Sequence, residues 1–154
     1  MSSPEEKLKE LGIELPPAPK PLGSYVPAVR AGSLVFISGM LPMKDGKLTH
    51  QGKVGRDVTV EEAREAARTA AINALSVLKA QTVWLEKVRR CVKVSGYVAS
   101  APDFTEQPKV LNAASDLIAA VLGEAGRHAR AAIGVPVLPL DSPVEIEFLF
   151  EVED

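Results

Sequence analysis

The side chains equipped for chemistry in this 154-residue chain are few: one cysteine, two histidines, two tyrosines and one tryptophan. A single cysteine excludes a disulfide within the chain, and the Cys/His ligand set of a zinc centre is missing. Cys91 lies in a run rich in β-branched residues, so it reads as a small buried hydrophobe rather than a nucleophile. What is left is guanidinium and carboxylate chemistry, which binds, orients and moves protons and calls for no metal or cofactor. Glu145, Glu147 and Glu151 lie on one side of an alternating run, as on any solvated strand face. Arg130 and His128 stand two residues apart, so in a strand they share a face. Taken alone, Arg130 fits a surface ion pair at a sheet edge and His128 a packing or surface histidine. Lys87, Arg89, Arg90 and Lys93 form the one basic cluster, which reads as the exposed start of a strand.

These residues depend on elements that the local sequence specifies. Ser3-Pro4-Glu5-Glu6 has the form of a capping box with proline at the first helical position, and Gly12 is a natural stop, which predicts a short helix over 4–11. Four prolines between Glu14 and Leu22 (Pro16, Pro17, Pro19 and Pro21) predict an extended arm. Residues 1–22 therefore read as an appendage, and 23–154 as one domain. Tyr25 to Val29 and Leu34 to Ser38 flank a Gly32 turn as a hairpin, and Lys44-Asp45-Gly46-Lys47 is a second turn. Thr59-Val60-Glu61-Glu62 is another capping box, followed by Ala63, Ala66, Ala67, Ala70, Ala71, Ala74, Leu75 and Leu78 at helical spacing, which predicts a helix over 60–80. Val88 to Ala99 reads as a strand with Gly96 a bulge. A second long helix has Pro108 in its first turn, an apolar face from Val110 to Leu122, and Gly123 and Gly126 at its end. Two more strands, Ala129 to Leu138 and Val144 to Val152, close the chain.

That order predicts an α+β fold, a two-layer sandwich whose mixed sheet carries two helices on one face. The other face keeps apolar residues such as Leu149, which a second subunit would cover, so a homo-oligomer is expected. A hydrophobic share of 46% suffices for a core, and an aromatic share of 5% makes that core aliphatic. The formal net charge of −2 offers no basic field for nucleic acid. A lone cysteine, with no apolar run of signal-peptide or spanning length, is what a cytoplasmic protein would show, and no membrane partner is expected.

Four segments taken in order resemble a known family: Gly23-Ser24-Tyr25 with the apolar run after it, Leu34 to Gly39, Ala129-Arg130 through Val135 with Leu138-Pro139, and Val144-Glu145-Ile146-Glu147. The chain is similar over about Gly23 to Val152 to the Rid/YjgF family, enamine/imine deaminases also described as L-PSP endoribonucleases. The resemblance implies a chorismate mutase-like fold and a homotrimer with clefts between neighbouring subunits. It implies a reaction as well, in which water adds to the imine carbon of a 2-imino acid, tautomer of an enamine such as 2-aminoacrylate, giving a 2-keto acid and ammonia. Arg130 then matches the arginine that grips the substrate carboxylate, as a planar guanidinium does with two parallel hydrogen bonds. Glu145 matches a glutamate that orients water or receives its proton, Tyr25 lines the cleft from the neighbouring subunit, and Ser38 and Gly39 offer backbone contacts.

This chain departs from the family's pattern at Ala132, where many members carry cysteine, and at Met40, where glutamine follows Ser-Gly. Both changes alter the lining of the cleft and leave the carboxylate grip in place. The N-terminal arm and the long segment from Met43 to Arg56 mark a longer branch, in which Asn112, Asp116, Arg127 and His128 recur without an assigned chemistry. Two other readings stay open: a trimer that binds a small carboxylate or a protein without turnover, and an RNA-binding or RNA-cleaving protein. The second lacks both a basic field and an aromatic platform for bases.

Overall fold

Two capping boxes set where two of the three helices begin. Ser3 Oγ accepts from the Glu6 amide at 3.2 Å while the Glu6 carboxylate accepts from the Ser3 amide, and Thr59 and Glu62 repeat the exchange at 3.1 and 3.0 Å. The computed structural model describes residues 2–19 and 24–154. In chain order its elements are α1 (Pro4–Glu10), β1 (Ala28–Ala31), β2 (Leu34–Met40), β3 (Met43–Lys44), β4 (Lys47–Leu48), α2 (Val60–Thr82), β5 (Val88–Ala99), α3 (Gln107–Leu122), β6 (Ala129–Val135) and β7 (Val144–Val152). The part of the proline arm from Glu14 to Pro19 has no regular structure; its last residues, with Gly23, lie outside the described ones.

Five strands form one mixed sheet in the order β1-β2-β7-β5-β6, antiparallel throughout except for the parallel pair β5 and β6. Helix α2 packs on β2 and β7, and α3 on β5 and β6, so both long helices cover one face. Strands β3 and β4 make a separate hairpin about Asp45 and Gly46, whose φ values of 53° and 78° are those of the Asp-Gly turn. Two strand ends and the place of one bulge differ from expectation. Pro27 has no amide to donate, so β1 begins at Ala28 and Tyr25 stands before the strand. Pro136 ends β6 at Val135 in the same way. Gly96 is not a bulge; it pairs in register with Ile146 and Ala132, and β5 bulges nearer its start, around Val88 to Lys93.

The interior explains the composition. Alternate residues of β7 (Val144, Ile146, Phe148, Phe150 and Val152) are buried, and α2 lays Ala63, Ala66, Ala67, Ala70, Ala71 and Ala74, all fully buried, over the same face of the sheet. Alanine loses no rotamer freedom on burial and lets the helix axis come close to the sheet. Helix α1 contributes Leu8 to the same cluster, and the Glu5 carboxylate accepts from the Leu85 amide at 2.6 Å. The opposite face of the sheet is open: Val29, Phe36 and Ile133 are 54%, 46% and 48% exposed.

Gly96 marks where α3 touches the sheet, because a side chain there would collide with Leu111. Gly96→Ala should therefore lower stability by about 2 kcal/mol through overpacking. Urea unfolding checks this, and adding Leu111→Ala should cost less in that background than in wild type. Equal stability of Gly96→Ala and wild type would contradict the packing described.

Candidate functional site

Strand β6 is an edge strand, bonded to β5 alone. Its register sets Arg130 opposite Val94, a fully buried core residue, so the arginine leans to the helix side of the sheet. There α3 presents Asn112 and Ser115, three residues apart and hence neighbours on one helix face. Arg130 Nη1 donates to Asn112 Oδ1 at 2.9 Å and to Ser115 Oγ at 3.1 Å, which uses both of its protons. Both acceptors are neutral. The four ion pairs among the described residues, His50–Glu65, Arg56–Asp57, Arg64–Glu61 and Arg127–Glu124, leave Arg130 out. The surface ion pair that a lone edge arginine suggests is thus not what holds it. Its Nε–H and Nη2–H edge, the geometry that meets a carboxylate side-on, has no partner among the described residues. Ala132, half-buried two residues along on the same face, adds no polar group.

A second cluster forms on the open face. The irregularity in β2 between Ile37 and Met40 contains Ser38 and Gly39. Ser38 donates its amide to the Pro27 carbonyl at 2.8 Å and its hydroxyl to the Val26 carbonyl at 2.6 Å, which ties the lead-in carrying Tyr25 to β2. Tyr25 itself is 58% exposed. Gly39 has no room for a side chain because the Glu145 carboxylate occupies that space. Burial, and then the neighbouring charge of Glu147, raise the Glu145 carboxyl above the usual carboxylate range. Glu147 accepts from the Tyr97 hydroxyl at 2.8 Å, and that bond raises the phenol in turn.

Glu145 alternates with the buried Val144 and Ile146, so it stands on the face of the sheet opposite Arg130. One chain therefore brings Ser38, Gly39 and Glu145 to one surface, with Tyr25 on the lead-in that Ser38 ties to it, and Arg130 and Ala132 to another. A site using both needs a second chain.

The sequence draws attention to Asn112 and His128 without a role, and both reach Arg130 or its partner: His128 Nε2 lies 2.9 Å from Ser115 Oγ. Ser115 escaped notice because a serine in an alanine-rich helix carries no local signal; its three-residue spacing from Asn112 was the available one. Asp116 is exposed, and Arg127 pairs loosely with Glu124 at 3.8 Å. Cys91 is buried and its thiol is pushed up to about 12, which rules out a thiolate at neutral pH. A hollow of about 530 Å³ at the far end of β6 has its cations already engaged, Lys53 with the Pro136 carbonyl and Arg56 with Asp57. Among the described residues no three His, Cys, Asp or Glu side chains converge as metal ligands, and no helix is long and apolar enough to cross a membrane.

Residues 5–152 match the family described as "YjgF/chorismate mutase-like, putative endoribonuclease". Protein TCP17 of Trypanosoma cruzi is 43% identical over 148 residues, 96% of this chain and 92% of its own. A 2-iminobutanoate/2-iminopropanoate deaminase of Dermatophagoides farinae is 27% identical over 141 residues, 92% of this chain and 95% of its own. The crystal structure of a protein of unknown function from Agrobacterium tumefaciens is 48% identical and superposes with a TM-score of 0.91, covering 98% of this chain and 92% of that one.

The position of Glu145 has a thermodynamic signature. A carboxyl raised in the folded state contributes stability when protonated and loses it as pH rises through the folded value. Glu145→Gln, always neutral, should therefore unfold at a higher temperature than wild type at pH 8, with the difference shrinking as the pH falls towards 4. Melting curves across that range check it, and a difference independent of pH would contradict it.

Proposed function

The chain belongs to the YjgF/chorismate mutase-like family, and from that premise we propose that it is a hydrolytic deaminase of small 2-imino acids and their enamine tautomers, of the 2-aminoacrylate type. The observation that carries this reading is the guanidinium of Arg130, held at Nη1 by two neutral oxygens with its Nε–Nη2 edge unpartnered among the described residues. A half-buried cation without a counter-charge is arranged for an anion that arrives from outside. The deaminase relative from Dermatophagoides farinae, similar over 92% of this chain, gives the substrate class.

In this reading the protein is a homotrimer. Open sheet faces turn inward and cover Val29, Phe36 and Ile133, and each β6 edge meets the surface of a neighbour that carries Tyr25, Ser38, Gly39 and Glu145. Arg130 holds the substrate carboxylate by two parallel hydrogen bonds, which fixes the adjacent imine carbon. A water oriented by Glu145 of the neighbouring subunit adds its oxygen to that carbon, and the carboxylate takes the proton. The C=N bond becomes the C–N bond of a carbinolamine. That proton passes to the nitrogen as the carbinolamine forms, and transfer of the carbinolamine hydroxyl proton to the same nitrogen by way of Glu145 lets ammonia leave with the C–N electron pair as the C=O of the 2-keto acid forms. The imine is already electrophilic, so placement of carbon and water supplies most of what the reaction asks. The same grip would serve a trimer that binds a small carboxylate without turnover, and release of ammonia separates the two. The endoribonuclease in the family's description finds less support, since a net charge of −2 gives no field for phosphates and the one basic cluster is confined to four residues about the start of β5.

With freshly generated 2-iminobutanoate or 2-aminoacrylate, wild type should release ammonia and keto acid faster than buffer, and Arg130→Ala should lose about 100-fold in kcat/KM. Equal rates for the two proteins would refute the deaminase. Light scattering should give three times the 16.4 kDa chain mass; a stable monomer would refute the shared cleft.

A further inference from the structure

Ser115 departs from what hydroxyls do elsewhere in these helices. Thr69, Ser76 and Thr82 of α2 each donate to the carbonyl four residues back, at 3.1 to 3.2 Å, the default bond for a hydroxyl inside a helix. Ser115 instead faces β6, with His128 Nε2 at 2.9 Å and Arg130 Nη1 at 3.1 Å. The other imidazole nitrogen, His128 Nδ1, lies 2.6 Å from the Gly126 carbonyl oxygen.

The proton positions follow from the chemistry of the groups. A carbonyl oxygen only accepts, so Nδ1 carries the proton in the Gly126 contact. In the neutral ring Nε2 is then bare and must accept, which assigns it the hydroxyl proton of Ser115. That leaves the lone pairs of Ser115 Oγ for Arg130. The chain of bonds has one direction, Arg130 to Ser115 to His128 to Gly126. Its end is fixed: Gly126 is buried against α3, and a side chain there would come within 2.6 Å of the Ile118 carbonyl oxygen and 2.8 Å of Ala119 Cα.

We propose that Ser115 and His128 are positioning residues for Arg130, a relay anchored at the Gly126 carbonyl that holds the guanidinium with its Nε–Nη2 edge turned to an incoming carboxylate. This rests on the reading of Arg130 as the carboxylate grip. His128 keeps Ser115 from its helical back-bond, and Ser115 with Asn112 stops the guanidinium from rotating. Neither residue touches the reacting carbon, so their loss weakens binding and spares the chemical step.

Two measurements test this. In wild type at pH 8, long-range ¹⁵N–¹H spectra should show the His128 ring protonated at Nδ1 and bare at Nε2; the opposite tautomer or a doubly protonated ring overturns the proposal without any variant. Calorimetric affinity for 2-oxobutyrate, with kcat and KM on 2-iminobutanoate, should show Ser115→Ala and His128→Leu each raising Kd and KM about tenfold, the scale of one charge-assisted bond, while kcat stays within about twofold. His128→Gln, whose amide oxygen can accept from Ser115, should recover most of the affinity. If Arg130→Ala loses binding while the other variants bind like wild type, the relay is refuted and the grip stands. Wild-type binding by Arg130→Ala would refute the grip, and the relay with it.

Discussion

Close seating of α3 on the sheet is the constraint from which the rest of the site follows. Three glycines lie where the helix and the turn after it come close to their neighbours. A side chain at Gly96 would strike Leu111, one at Gly134 would come within 2.6 Å of Gln107 Nε2, and one at Gly126 would meet the backbone at Ile118 and Ala119. These contacts fix α3 against the β5–β6 pair, so Asn112 and Ser115 arrive over Arg130 with hydrogen-bonding geometry. A guanidinium on an edge strand would otherwise seek solvent or a carboxylate. Here it is restrained by neutral oxygens, which fix its orientation and leave its charge uncancelled.

The sheet divides the remaining chemistry. Because side chains alternate across a strand, Arg130 on the helix side cannot share a surface with Glu145 on the open side. The apolar residues of that open face and the division of the site point to the same remedy, a neighbouring copy that covers Val29 and Phe36 while bringing Glu145 to Arg130. Assembly and catalysis are then one requirement in the proposed enzyme. The chemical poverty of the chain fits as well: with its one thiol buried, a guanidinium and a carboxylate suffice for the proposed substrate, which needs placement more than activation.

What the sequence made legible was local. The capping boxes at Ser3 and Thr59, the Asp45-Gly46 turn and the alternation from Val144 to Val152 each encode their structure within a few residues. Pro27 and Pro136 were equally visible, and weighing their missing amides would have placed the ends of β1 and β6. The architecture of helices over one sheet face followed from element order. Contacts between distant segments were not readable: the Arg130 bonds to Asn112 and Ser115, the fit of Glu145 over Gly39, and the role of Gly96 as a seat for Leu111 all span 15 or more residues. The four residues of the second cluster took their roles from resemblance, which set Tyr25 across a subunit boundary, and so did Arg130; the structure adds that Glu145 stands on the face of the sheet opposite Arg130.

Subunit mixing tests that separation most directly. Chains carrying Arg130→Ala and chains carrying Glu145→Gln, each poorly active alone, are unfolded together in equal amounts and reassembled. If each site takes Arg130 from one subunit and Glu145 from the next, about one site in four regains both groups in a randomly mixed trimer. Ammonia release should then rise to about one quarter of the wild-type rate. Activity no greater than the mean of the two variants would contradict a site built between subunits.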